Sequence, residues 1–189
     1  THRLANLWMW ARNAPRNGCL IEIGSYRGGS ALHLSNACPD RRLYICDAFS
    51  AGFSSLDPSL DRRFASNPFT DNSRTDVERL FASRGRDAVI VDGFAPDSLI
   101  DAKIDPGPIA FAHVDVDVYQ ATCDLLAYLC DRMLPGAVIA LDDVHREASG
   151  VDRAIAEFMT AHPGWHFAPV FPGQGLLVKP VDPSPTAPR

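Results

Sequence analysis

At 189 residues and 20.6 kDa the chain has the length of one globular domain, able to bury roughly 70% of the surface it exposes unfolded. Hydrophobic residues make up 46% and charged residues 22%, a balance that excludes an intrinsically disordered protein. Eighteen Lys and Arg against 23 Asp and Glu give a net charge of -5, which argues against a general nucleic-acid binder held by counterion release.

The apolar runs are too short and too broken by charge to span a bilayer, so neither membrane nor nucleic acid is expected as a partner. Position 1 is Thr, so further N-terminal residues are expected in the native protein, and no basic-led apolar leader opens the sequence. Cys19, Cys38, Cys46, Cys123 and Cys130 are odd in number and form no C-x-x-C pair. Buried free thiols and a cytoplasmic location are the expectation.

Along the chain, Leu4 to Ala14 predicts a helix with Leu4, Leu7, Trp8 and Ala11 on one face, stopped by Pro15 and Asn17-Gly18. Cys19 to Ile23 predicts a buried strand, Ser30 to Ala37 a helix and Arg42 to Asp47 a second strand. The stretch from Ala48 to Ser73, rich in Ser, Phe, Asp and Pro, is long enough for a lid, a binding loop or a disordered connection. Thr75 and Glu78 have capping-box spacing ahead of a helix from Asp76 to Ser83. Strands follow at Ala88 to Asp92 and Ile109 to Asp115. A helix from Tyr119 to Leu134 is ended by Pro135-Gly136, and a fifth strand runs from Ala137 to Leu141. Ser149 to His162 predicts the last helix, and Trp165 to Phe171 with Leu176 to Lys179 a closing hairpin. Residues 1–180 therefore form one domain, with a Pro-rich disordered tail over 181–189. The fold class is α/β: a doubly wound, mostly parallel seven-stranded sheet with an antiparallel C-terminal hairpin.

Three constellations carry chemistry. Glu22-Ile23-Gly24-Ser25-Tyr26-Arg27-Gly28-Gly29-Ser30 joins the first strand to its helix, where doubly wound sheets bind ligands. Its G-x-x-x-G-G spacing is neither a dinucleotide clamp nor a P-loop, and its acidic residue suits a cationic ligand such as S-adenosylmethionine. By itself this loop stays open to a merely structural reading. Asp47, 23 residues after Gly24 at the end of the second strand, stands where an acid can take both ribose hydroxyls, or simply cap a turn. Third, Asp115 and the Asp142-Asp143 pair end two strands expected to be neighbours. Their mutual repulsion calls for a cation, and oxygen-only ligands favour Mg2+, which could orient and activate an acceptor hydroxyl. Asp117 reads as a helix cap. His145, after the aspartate pair, is a candidate general base, and His113 a core histidine or a support for the metal ligands.

Ile21 to Ser30, Asp47-Ala48-Phe49, Gly93-Phe94 with Asp97-Ser98-Leu99, His113 to Tyr119, Pro135-Gly136 and Asp142-Asp143 together resemble, in order, the macrocin O-methyltransferase family. The resemblance covers about Leu4 to Lys179. It implies a class I S-adenosylmethionine-dependent methyltransferase that modifies sugar hydroxyls of antibiotics and related glycosides, with Mg2+ on Asp115, Asp142 and Asp143. The cofactor site would comprise Glu22, Gly24, Ser25, Tyr26, Gly28, Ser30, Asp47, Asp92 and Gly93, with Asp115 and His145 as catalytic residues. The partner would be a hydroxylated, sugar-containing small molecule, and a homo-oligomer is left open. The chain departs from the family at Gly93-Phe94, where a Trp often intervenes, and at Val144-His145, where Tyr often follows the aspartate pair. Asp115-x-Asp117 also matches the metal motif of glycosyltransferases. An oxygenase-like or cofactor-binding variant of the same fold is a further alternative.

Overall fold

The computed structural model describes residues 2–66, 69–145 and 150–181. Helix α1 (His2–Asn13) precedes strand β1 (Cys19–Ile23), helix α2 (Gly29–Ala37) and strand β2 (Leu43–Asp47). Two single 3-10 turns, Phe49–Ala51 and Arg62–Phe64, lead to α3 (Arg74–Ser83), β3 (Val89–Asp92) and the short α4 (Asp97–Asp101). Then come β4 (Ile109–Val114), α5 (Tyr119–Arg132), β5 (Met133–Asp142), α6 (Gly150–Ala161), β6 (His166–Val170) and β7 (Gln174–Val178).

The seven strands form one sheet in the order β3-β2-β1-β4-β5-β7-β6. The five strands β1 to β5 pair in parallel, while β7 runs antiparallel to both β5 and β6. The chain winds outward from β1 to β3, returns, and winds the other way through β4 and β5. The strand order therefore reverses between β1 and β4, which opens a crevice at their carboxyl ends. Parallel strands covered on both faces need continuous apolar runs, and all of β1 and all of β4 are buried. Alternation sends Ile21 and Ile23 to the face covered by α5 and α6, and Leu20 to the face covered by α1 and α2. Glu22 and His113 break both apolar runs: they are register partners on neighbouring strands, 0% and 1% exposed.

Several boundaries differ from expectation. Helix α5 ends at Arg132, and β5 already begins at Met133, running through Pro135-Gly136 rather than being preceded by it. A register shift opposite Ile109 absorbs the extra residues, so the proline removes no regular ladder bond. The cap of α3 is Ser73, whose hydroxyl accepts from the Asp76 amide at 3.2 Å. The box thus keeps its three-residue spacing but lies two residues before the expected Thr75. Helix α4 went unread, its single turn being too short for periodicity. Residues 182–189, Ser149 and part of the 48–73 stretch lie outside the described residues. Among the described residues, no helix is long and apolar enough to cross a membrane.

Candidate active site

A cavity of about 760 Å3 opens at the carboxyl ends of β1, β2, β3 and β4. Gly24, Tyr26, Asp47, Gly93, Asp115, Asp117 and Asp143 line it, as does Arg3 from α1. One wall is aromatic: Phe49, Phe53 and Phe69 come from the 48–73 stretch, and Phe94 and Tyr128 from elsewhere. Described residues of that stretch pack together and onto the β1 loop, with Phe53 and Phe64 ring centres 5.1 Å apart and Tyr26 and Phe69 5.7 Å apart. Its buried Asp61 accepts from the Asp57 amide at 2.8 Å and the Tyr119 amide at 3.1 Å, capping α5 from outside the helix.

The loop after β1 is organised by Asp47. One carboxylate oxygen accepts from the Ser25 and Tyr26 amides, both at 2.7 Å, and the other from the Phe49 amide at 2.5 Å. This carboxylate takes the backbone donors that a phosphate clamp would offer an external anion. The loop accordingly suits a ligand without phosphates. Gly24 holds φ +85°, and a Cβ there would fall on the Asp115 carbonyl, so β1 and β4 approach as closely as they do only with glycine. Gly28 does other work. Its φ is +77°, and a Cβ would lie 3.0 Å from Val77 on α3, so it seats a helix and does not line the cavity.

Beneath the cavity lies a buried ionic chain. Glu22 accepts from the Ser30 hydroxyl at 2.5 Å and lies 3.0 Å from His113 Nδ1, so both Glu22 and Ser30 sit under the cavity wall instead of lining it. His113 Nε2 faces Asp142 at 3.6 Å, and Arg3 reaches Asp142 at 3.3 Å and Asp143 at 3.7 Å. Burial opposes a charge on His113, yet its contacts with Asp142 and Glu22 push its pKa up to about 10. Burial would raise Asp142 as well, but His113, Arg3 and Gln174 hold it below the ordinary value. Asp115 is pushed up to about 7 by burial and by the Asp142 charge, and Asp117 to about 9 by burial and its contact with Asp143.

The three expected metal ligands fall into two overlapping groups. Asp115, Asp117 and Asp143 have ligand atoms within 4.8 Å of one another, and so do His113, Asp115 and Asp142. Asp117 therefore joins the carboxylates and caps nothing: the first amide of α5 goes to Asp61, and Asp117 itself lines the cavity at φ +65°. Its D-x-D spacing to Asp115 carried the signal. Glu22, Asp115, Asp117, Asp142 and Asp143 face the cations His113, Arg3 and Arg63, leaving an excess of two negative charges if all are ionised. Asp142 Oδ1 is buried without a hydrogen-bond partner. A divalent cation fits this donor set, in charge and in ligand type.

His145 is elsewhere. Its amide donates to Asp152 at 2.9 Å and its ring lies 3.3 Å from the same carboxylate, 63% exposed and outside the cavity lining. Asp92 ends β3 exposed to solvent, with only its neighbour Gly93 in the wall, and Ser25 is buried behind Asp47.

Comparison with known proteins agrees with this architecture. A solved structure of the O-methyltransferase NovP superposes with a TM-score of 0.79 at 23% identity, covering 94% of this chain and 79% of that one. The chain is 26% identical over 139 residues to an 8-demethyl-8-(2,3-dimethoxy-alpha-L-rhamnosyl)-tetracenomycin-C 4'-O-methyltransferase of Streptomyces olivaceus, covering 67% of this chain and 52% of the relative. It is 31% identical over 137 residues to a tRNA (guanine-N(7)-)-methyltransferase of Mycobacterium ulcerans, covering 71% of this chain and 44% of that protein. The chain thus spans about half the length of these curated relatives. Residues 2–164 match the macrocin-O-methyltransferase (TylF) family, and with the fold and the carboxylate-lined crevice in agreement, the chain belongs to that family.

Proposed function

We propose that the protein is an S-adenosylmethionine-dependent O-methyltransferase acting on a hydroxyl of a sugar-containing small molecule, assisted by Mg2+ at the carboxylate cluster. The observation that carries this reading is the convergence of Asp115, Asp117 and Asp143 on the same cavity as Gly24 and Asp47. A bound cofactor would supply an electrophilic methyl group on a sulfonium; Asp115 and Asp143, with Asp117 or Asp142, would hold the ion, which would make a bound hydroxyl easier to deprotonate. The protein's own part is alignment. Asp47 holds the loop after β1 rigid, Gly24 and Gly93 line the cavity beside it, and Phe53, Phe69 and Tyr128 give the cavity apolar lining.

Asp117 is better placed than His145 to accept the hydroxyl proton, because it lines the cavity while the His145 side chain is exposed outside it. The relative from Streptomyces olivaceus methylates a rhamnosyl hydroxyl by its name, which supports a glycoside acceptor. The relative named for tRNA methylation gets less support, since a cavity rimmed by carboxylates repels a polyanion.

Calorimetry with S-adenosylhomocysteine, followed by methyl transfer to a panel of hydroxylated glycosides with and without chelator, tests the reading. Cofactor binding with transfer that chelator abolishes and Mg2+ restores is expected. Full turnover in chelator would remove the ion from the mechanism, and no cofactor binding would overturn the assignment.

A further inference from the structure

We propose that Arg63 competes with the divalent ion for Asp117 and Asp143 in the cavity wall, so that ion binding and the seating of the Arg62–Phe64 turn are linked in one equilibrium. The inference rests on the cation reading above and adds a residue that sets how tightly the ion is held.

Arg63 Nη2 lies 3.1 Å from Asp143 Oδ2 and 3.7 Å from Asp117 Oδ1, two of the three carboxylates in the cavity-facing group. An ion ligated by those residues would need lone pairs that the guanidinium now draws on, and the two cations would repel each other across a few ångströms. Arg3 differs in kind. It takes Asp142 and the other oxygen of Asp143, and its Nε is anchored to the Pro172 carbonyl at 3.0 Å. Among the described residues, Arg63 has no comparable backbone anchor; its guanidinium lies 4.5 Å from the Phe64 ring centre and its side chain is 36% exposed. When it leaves Asp143, the turn is held to the sheet only by the packing of Phe64 and the Asp61 bond to the Tyr119 amide, and so less tightly. Arg3 balances Asp142, which lies behind the cavity lining, while Arg63 is the counter-charge on the cavity-lining Asp117 and Asp143 that an ion would displace. An ion entering the cluster thereby releases the electrostatic tie between the Arg62–Phe64 turn and the sheet.

The test is calorimetric titration of chelator-treated protein with MnCl2 or MgCl2 alone, on wild type, Arg63→Gln, Arg63→Lys and Arg27→Gln. Arg27 pairs with Asp71 on the same stretch and touches none of the carboxylates in the cluster, so it reports on loosening without charge removal. Arg63→Gln is expected to bind the ion about ten-fold more tightly. Arg63→Lys should stay close to wild type because it keeps the charge, and Arg27→Gln should not change. Hydrogen exchange over residues 60–66 should quicken when Mn2+ is added to wild type. Arg63→Gln binding no tighter than wild type would overturn the competition while leaving the metal centre standing, as would equal tightening in Arg27→Gln. Absence of ion binding in every variant would overturn the metal centre and the competition together. Should Arg63→Gln fail to fold, Arg63→Met, which also removes the charge, carries the same expectation.

Discussion

Asp47 makes three short bonds to backbone amides of two loops, so its side chain ties the loops after β1 and β2 together at the cavity before any ligand arrives. Asp47→Asn keeps the size but loses the charge and one acceptor. It should weaken S-adenosylhomocysteine binding by about 1.5–3 kcal/mol, the range for bonds to a charged group, as read by calorimetry. His113 is a second residue whose role is electrostatic. Its pKa rises from an ordinary 6.5 to about 10 in the fold, so its stabilisation is complete below 6.5 and lost as the pH climbs through 10. His113→Gln should therefore cost about 3–5 kcal/mol near pH 6, the usual loss on breaking a buried ion pair, and the gap to wild type should narrow towards pH 10. Denaturant unfolding at several pH values measures both. A gap independent of pH would mean that His113 packs as a neutral ring.

At the scale of elements, Gly28 shows how a motif glycine can serve packing. It opens α2 in a left-handed conformation with α3 directly against it. Gly28→Val should lower stability by about 1–3 kcal/mol in thermal melts, through strain and overpacking against Val77 and Leu80. Lost cofactor binding at an unchanged melting temperature would instead restore the direct contact that the G-x-x-x-G-G spacing suggests. The strand-helix alternation was legible because buried parallel strands are short apolar runs and α5 and α6 carry clear stripes. The ends were less so. Pro135-Gly136 reads as a helix stop, yet the helix had already ended at Arg132, because Met133 is drawn into the sheet beside Ile109.

For the molecule as a whole, burial settles the fate of the cysteines. All five are free; burial pushes Cys46 up to about 12 and Cys19 up to about 11, while Cys123 and Cys130 are only partly buried. A thiol reagent at pH 8 should leave Cys19, Cys38 and Cys46 unlabelled until the protein unfolds, with any native labelling confined to Cys123 and Cys130, as peptide mapping would show. Fast native labelling of Cys46 would mean that the sheet opens locally at β2.

The sequence alone determined the sheet class, the crevice beside β1 and the aspartates that end β4 and β5, since each depends on local periodicity or on spacing along one segment. Tertiary structure decided which charges share a space. Glu22 and Ser30 looked like ligand contacts because they flank the glycine loop, but the pairing of β1 with β4 places Glu22 against His113 inside the sheet. Asp117 looked like a cap because it precedes a helix, but Asp61, 58 residues before Tyr119, already holds the first amide of that helix. Arg3 and Arg63 carried no signal along the chain. Only the fold brings α1 and the Arg62–Phe64 turn to the same carboxylates, where burial makes their opposite charges count.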